Sequence, residues 1–177
     1  MKDFDKELEP GDIENGFANV VIEIPIGSID KIEWHRQSAE FKVDRTNLSS
    51  FTFPTNYGFI PRTLNEDDDE LDVLVISDKA IQTGVSLKTK IVGVMRFNDE
   101  GESDDKIITT PFDNETINIL ADIPKHQIDK ITHFFKHYKD YKSLNCTKVI
   151  GWGDIDDAKK EINKSIWTWD EQSNRVV

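Results

Sequence analysis

The chain has 177 residues and a mass of 20.4 kDa, a length that suits one domain. Apolar residues supply only 37% of it and charged residues 32%, yet ten Phe and four Trp carry enough apolar area to argue against disorder. The formal charge of −12 disfavours nucleic acid as a partner and leaves open a phosphate-bearing ligand held through metal ions.

The single cysteine, Cys146, has no internal partner, so no disulfide marks the chain as secreted. No apolar run is long enough to span a bilayer, and Met1 to Glu9 lacks the apolar segment of a signal peptide. A cytoplasmic location is the expectation. No composition shift marks a linker, so one domain over 1–177 is expected, with 1–16 as a loop or arm and 170–177 as a tail.

In chain order, Phe17 to Pro25 is rich in β-branched residues and ends on a proline, which suits a strand. Lys31 to His35 and Glu40 to Arg45 alternate polar and apolar residues about Gln37-Ser38, which suits a hairpin. Asn56 to Pro61 reads as a short strand or turn. Leu71 to Ile76 reads as a buried strand, Lys88 to Phe97 as another, and Lys106 to Thr110 as its return. Ile128, Ile131, Phe134 and Phe135 fall on one face of a helix over 124–138, with Pro124 in its first turn. A second helix is predicted over 155–169, capped by Asp154 or Asp156. Short strands followed by helices point to a small β-barrel or twisted sheet with helices at one side, mainly β with α.

The densest chemical feature is Asp67-Asp68-Asp69-Glu70-Leu71-Asp72-Val73, where a loop enters a buried strand. Taken alone it reads equally as a solvated turn. Asp72, however, stands between apolar neighbours, and a buried carboxylate needs a partner. A calcium-binding EF-hand fails, because the positions that require Gly and Glu hold Asp72 and Asp78 when counted from Asp67. A second acidic stretch, Asp99 to Asp105, lies between two strands. If the two stretches meet, they offer oxygen ligands alone, which suit hard cations, Mg²⁺ before Ca²⁺. Lys31, Arg45, Lys106 and Tyr138-Lys139 are each ordinary surface residues if taken singly; together with metals they suit phosphate oxygens. His133 and His137 share a helical face but lack a metalloprotease pattern, and packing is the simpler role. There is no Walker loop and no Gly-x-Gly-x-x-Gly.

The signature Asp-x-Asp-(Pro/Glu)-apolar-Asp-apolar resembles that of the soluble family I inorganic pyrophosphatases of the short bacterial type. Val20 to Pro25, Lys31-Ile32-Glu33, Val43-Asp44-Arg45, Phe53 to Gly58, Asp99 with Asp104 to Lys106, and His133 to Lys139 stand around it in that family's order. The resemblance covers residues 17–152. It implies a five-stranded OB-like barrel with flanking helices, and hydrolysis of pyrophosphate by a metal-activated water without a covalent intermediate. It implies Asp67, Asp72, Asp99, Asp104 and Glu33 as ligands of several Mg²⁺ ions (Mn²⁺ as a substitute), and Asp69 as general base. Lys31, Arg45, Tyr57, Lys106, Tyr138 and Lys139 would hold the phosphates, and Glu23 would stand behind them. A homohexamer is implied too, with the helix bearing His133 and His137 as a candidate interface. Phe53 departs from the Tyr of many members, and the stretch between Glu23 and Lys31 is one residue shorter than in some. A non-enzymatic module binding a metal or anion, and hydrolysis of nucleotides or polyphosphate, are the alternatives.

Overall fold

The structure is a computed structural model that describes residues 3–46, 51–65 and 69–175. Its elements are α1 (Phe4–Glu7), β1 (Phe17–Ile24), β2 (Asp30–His35), β3 (Glu40–Thr46), β4 (Asn56–Phe59), β5 (Asp72–Val75), β6 (Ser86–Asp99), β7 (Glu102–Ser103), β8 (Lys106–Pro111), α2 (Lys125–His137), β9 (Thr147–Gly153) and α3 (Ile155–Arg175).

Five strands close into a ring in the order β1, β4, β5, β8, β6 and back to β1; only the β5–β8 contact is parallel. The expected five-stranded barrel with flanking helices is therefore present. The long strand β6 makes closure possible. It pairs with β1 through residues 86–90, with β8 through 89–95, and with β9 through 94–99. A bulge between Ile91 and Gly93 turns it.

The barrel strands are buried on both faces, so they read as continuous apolar runs instead of alternating ones. Val73 and Val75 of β5 pack in one cluster with Ala158 and Ile162 of α3. Leu74 and the adjoining Ile76 pack in the other with Ile131, Phe134 and Phe135 of α2. The predicted apolar face of α2 is thus the one it buries.

The hairpin β2–β3 forms its own two-stranded sheet, outside the barrel ladder. Trp34 and Phe41 hold it by packing on Phe4 and against Phe59. The N-terminal stretch, expected as a loop or arm, is docked there: α1 buries Phe4 and Asp5. The 170–177 stretch, expected as a tail, continues α3 as far as Arg175.

Candidate active site

A cavity of about 250 Å³ opens where the N-terminal ends of β5 and β8 meet the hairpin and the end of α2. Strand geometry puts the chemistry there. Val73 pairs with Ile107 in the parallel β5–β8 contact, so Asp72 and Lys106, one residue earlier on each, are neighbours on the same face. Phe59 pairs with Asp72 and Tyr57 with Leu74, which brings Tyr57 to that face as well. The tip of β6–β7 adds Asp99 and Asp104, and the C-terminus of α2 adds Tyr138 and Lys139.

The most buried charged group in the lining is Lys106, whose side chain is 2% exposed. Its ammonium pairs with Asp72 and lies 2.5 Å from an oxygen of Asp104. Burial works to lower the pKa of Lys106, but the two carboxylates outweigh it and hold the pKa above the ordinary value. Lys106 is a fixed positive charge. Burial raises the pKa of Asp72, opposed by Lys106 and by the hydroxyl of Tyr57, which donates to it. Tyr57 and Tyr138 are both pushed above the usual phenol range, first by burial and then by nearby acids, so both keep their protons at neutral pH.

Glu23 enters through a β-bulge. Ile22 pairs with Gly58 and Ile24 with Tyr57, so the intervening residue is free to send its carboxylate into the cavity. There it accepts the backbone N–H of Trp34 at 2.6 Å, which ties the hairpin to the barrel. Burial, then Asp72, push its pKa well above the ordinary carboxylate value. On the hairpin, Lys31 pairs with Glu33 and lies 3.9 Å from Asp44. Across the mouth Lys139 pairs with Asp99, whose Oδ1 is buried with no hydrogen-bond partner. The adjacent acid Asp105 turns away, accepting from Phe97 N at 2.9 Å and pairing with Arg96 at 2.5 Å.

Of the residues singled out from sequence, Glu23, Lys31, Glu33, Tyr57, Asp69, Asp72, Asp99, Asp104, Lys106, Tyr138 and Lys139 line this cavity. Arg45 does not. It pairs across the hairpin with Lys31 and lies 2.8 Å from Asp44, although its charge still acts on Tyr138. Asp67 and Asp68 lie outside the described residues. Phe53 is buried in the wall, its ring 5.8 Å from that of Tyr57 and 4.9 Å from that of Phe134. Glu70 also lines the cavity. Its place in the acidic run was the one signal for it.

Among the described residues no three His, Cys, Asp or Glu side chains form a ready-made metal cage. The donor set nevertheless fits hard divalent ions. It is composed of carboxylate oxygens, and one of them, Asp99 Oδ1, is buried and unpartnered.

The family model described as inorganic pyrophosphatase matches residues 20–170. The chain belongs to the inorganic pyrophosphatase family. It is 49% identical over 177 residues to an inorganic pyrophosphatase of Neisseria meningitidis serogroup B, covering 98% of this chain and 100% of the relative. It is likewise 49% identical over 176 residues to that of Haemophilus influenzae, covering 97% and 100%. The crystal structure of an inorganic pyrophosphatase from Neisseria gonorrhoeae superposes with a TM-score of 0.93 at 48% identity, covering 95% of this chain and 99% of the other. Full-length matches of this kind make the chain an enzyme of the family.

Proposed function

We propose that this chain hydrolyses inorganic pyrophosphate to two orthophosphates, with divalent metal ions, by direct attack of water and without a covalent enzyme intermediate. The observation that carries this reading is the cavity itself, where acids on β5 and the β6–β7 tip face cations and protonated phenols from β2, β4, β8 and α2. A purely acidic pocket would repel a polyanion, and a purely basic one would hold no metal. Both sets in one cavity suit a phosphate chain bound through cations.

Asp72, Asp99 and Asp104, with Glu33 and Asp67, are the residues proposed to hold Mg²⁺, with Mn²⁺ as a substitute. Such ions, when bound, draw charge from the phosphate oxygens and make an attacking water easier to deprotonate. Lys106 supports the substrate with a charge that the carboxylates of Asp72 and Asp104 keep protonated against its burial. Lys31, Arg45 and Lys139 are proposed to bind the phosphates. Arg45 Nε and Nη2 are buried without partners, which suits a guanidinium awaiting an anion. Tyr57 and Tyr138 hold their protons and can donate to phosphate oxygens. Asp69 is proposed to take the proton of the attacking water. Glu23, anchored on Trp34 N, stands behind these groups and fixes the hairpin wall.

The proposal includes a cytoplasmic location and a homohexamer. Among the described residues no helix is long and apolar enough to cross a membrane. Exposed Val43, Ile119, Ile150 and Trp167 support self-association, and His133 and His137, their rings 4.8 Å apart on α2, are proposed as part of an interface.

Two variants test the assignment of roles. Asp69→Asn is expected to keep Mg²⁺ affinity and lose about 10²- to 10⁴-fold in kcat, the usual contribution of a general base. Asp72→Ala is expected to weaken Mg²⁺ binding itself, read by calorimetry. Normal turnover in the first, or normal metal affinity in the second, contradicts the role given to that residue.

A further inference from the structure

The turn after β2 carries Arg36, whose guanidinium gathers elements that the barrel ladder leaves apart. Its Nε lies 3.0 Å from Asp5 Oδ2 in α1 and 3.0 Å from Glu70 Oε1 in the acidic loop. Its Nη2 lies 2.6 Å from the same Glu70 oxygen. Its face covers the ring of Trp169 in α3, 4.8 Å from the centroid. The side chains of Asp5 and Glu70 are only 6% and 10% exposed, so both depend on this cation. Asp5 is fixed in turn, because its Oδ1 accepts the backbone N–H of Arg62 at 2.8 Å.

This cluster joins the two walls of the cavity. The hairpin carries Lys31 and Glu33, and the acidic loop carries Asp69 and Glu70. The loop is also held on itself by Asn65 N donating to Asp69 O at 2.8 Å, and at its end by Leu71 N donating to Thr63 Oγ1 at 2.9 Å. Those bonds hold residues 69 and 71 of the loop. The Arg36–Glu70 pair sets its distance from the hairpin.

We propose that Arg36 is a positioning residue, which through Glu70 holds the acidic loop, and Asp69 with it, in register with the hairpin wall. The role rests on the reading of Asp69 given above. Without Arg36, the two buried carboxylates lose the cation they share. Glu70 then loses the link that ties it to the hairpin turn and moves toward water, which shifts its neighbour Asp69. A misplacement of about 1 Å at a reacting group costs roughly 10²-fold in rate.

The test is steady-state pyrophosphate hydrolysis with Mg²⁺, together with thermal unfolding, on the full chain and four variants. Arg36→Met is expected to lower kcat by about 30- to 100-fold and to change KM by less than about threefold. Arg62→Met is the structural control. Arg62 binds Asp5 O of α1 at 2.6 Å and Glu9, beyond that helix, at 2.5 Å, whereas the cation paired with Glu70 is Arg36. It is expected to lower Tm while leaving kcat within about twofold. Arg36→Met with Glu70→Gln removes one of the two buried charges, so Tm recovers while kcat stays low. Arg36→Lys keeps the charge but cannot span both carboxylates, and its kcat is expected about three- to tenfold below the wild type. It decides the matter if Arg36→Met does not fold.

An unchanged kcat in Arg36→Met or Arg36→Lys overturns the role. So does a kcat that merely follows Tm across the set, including Arg62→Met and the double variant. A hydrolysing wild type with an unaffected Arg36 variant overturns the positioning role alone, whereas a folded wild type without hydrolysis overturns the proposed function and this role together.

Discussion

Glu70 shows how burial sets the chemistry of a single side chain. Burial pushes its pKa up to about 7 from an ordinary 4.5, with Arg36 opposing. Between those two values the folded chain retains a proton that the unfolded chain has released. Stability from this group is therefore fully present below about pH 4.5 and lost as pH rises through about 7. In chelator, the difference in unfolding free energy between wild type and Glu70→Gln should shift against the wild type by about 2–3 kcal/mol from pH 4.5 to pH 8. Chemical denaturation at several pH values checks it. A pH-independent difference, or one of opposite sign, contradicts the burial argument. The acid was visible in the sequence as part of a dense run, but its environment was not. Its cation lies 34 residues away on another element and gives no local signal.

At the scale of elements, the site depends on how closely two strands approach. Gly58 lies between Tyr57 and Phe59 in β4, opposite Ile22 of β1. A Cβ at Gly58 would stand 1.9 Å from the carbonyl oxygen of Val21, 2.9 Å from its carbonyl carbon and 3.0 Å from Ile22 Cα, all of them backbone of β1. Gly58→Ala must push β1 and β4 apart, and overpacking of a rigid contact costs about 3 kcal/mol. The expected outcome is a variant whose Tm falls by several degrees and whose KM for pyrophosphate rises, because Tyr57 and Glu23 shift with their strands. Wild-type stability would contradict the close approach. Most elements were legible, because long apolar runs such as Leu71 to Ile76 and the 3.6-residue spacing of α2 are strong local signals. Strand β9 was not foreseen. Its Gly151 and Gly153 weaken any strand pattern, and it forms because the far end of β6 offers a free edge. Helix α1 was not foreseen either, since four residues are too few to show a period and it is held by docking of Phe4.

Over the whole molecule, the net charge of −12 and the family's activity are reconciled by where the charges sit. Acids from β1, β5 and the β6–β7 tip converge on one cavity, and cations from β2, β8 and the end of α2 stand among them. Most of the polar residues that line the cavity were legible because the family's order of motifs names them. The pairing within the set was not. That Lys106 lies between Asp72 and Asp104, or that Asp105 turns to Arg96 while Asp104 turns inward, follows from strand register and cannot be read from adjacency. Arg45 is the residue whose place in the fold stands furthest from the expectation, outside the cavity lining but within electrostatic reach of Tyr138.

The central claim is metal-dependent hydrolysis of pyrophosphate in this cavity. Its most direct measurement is phosphate release from pyrophosphate by the purified, folded chain with Mg²⁺, then with excess chelator, then with Mg²⁺ restored, with ATP and tripolyphosphate in parallel. Fast release that stops with chelator, returns with Mg²⁺ and favours pyrophosphate is the predicted result. No release with Mg²⁺ or Mn²⁺, or release that persists in chelator, would contradict the claim.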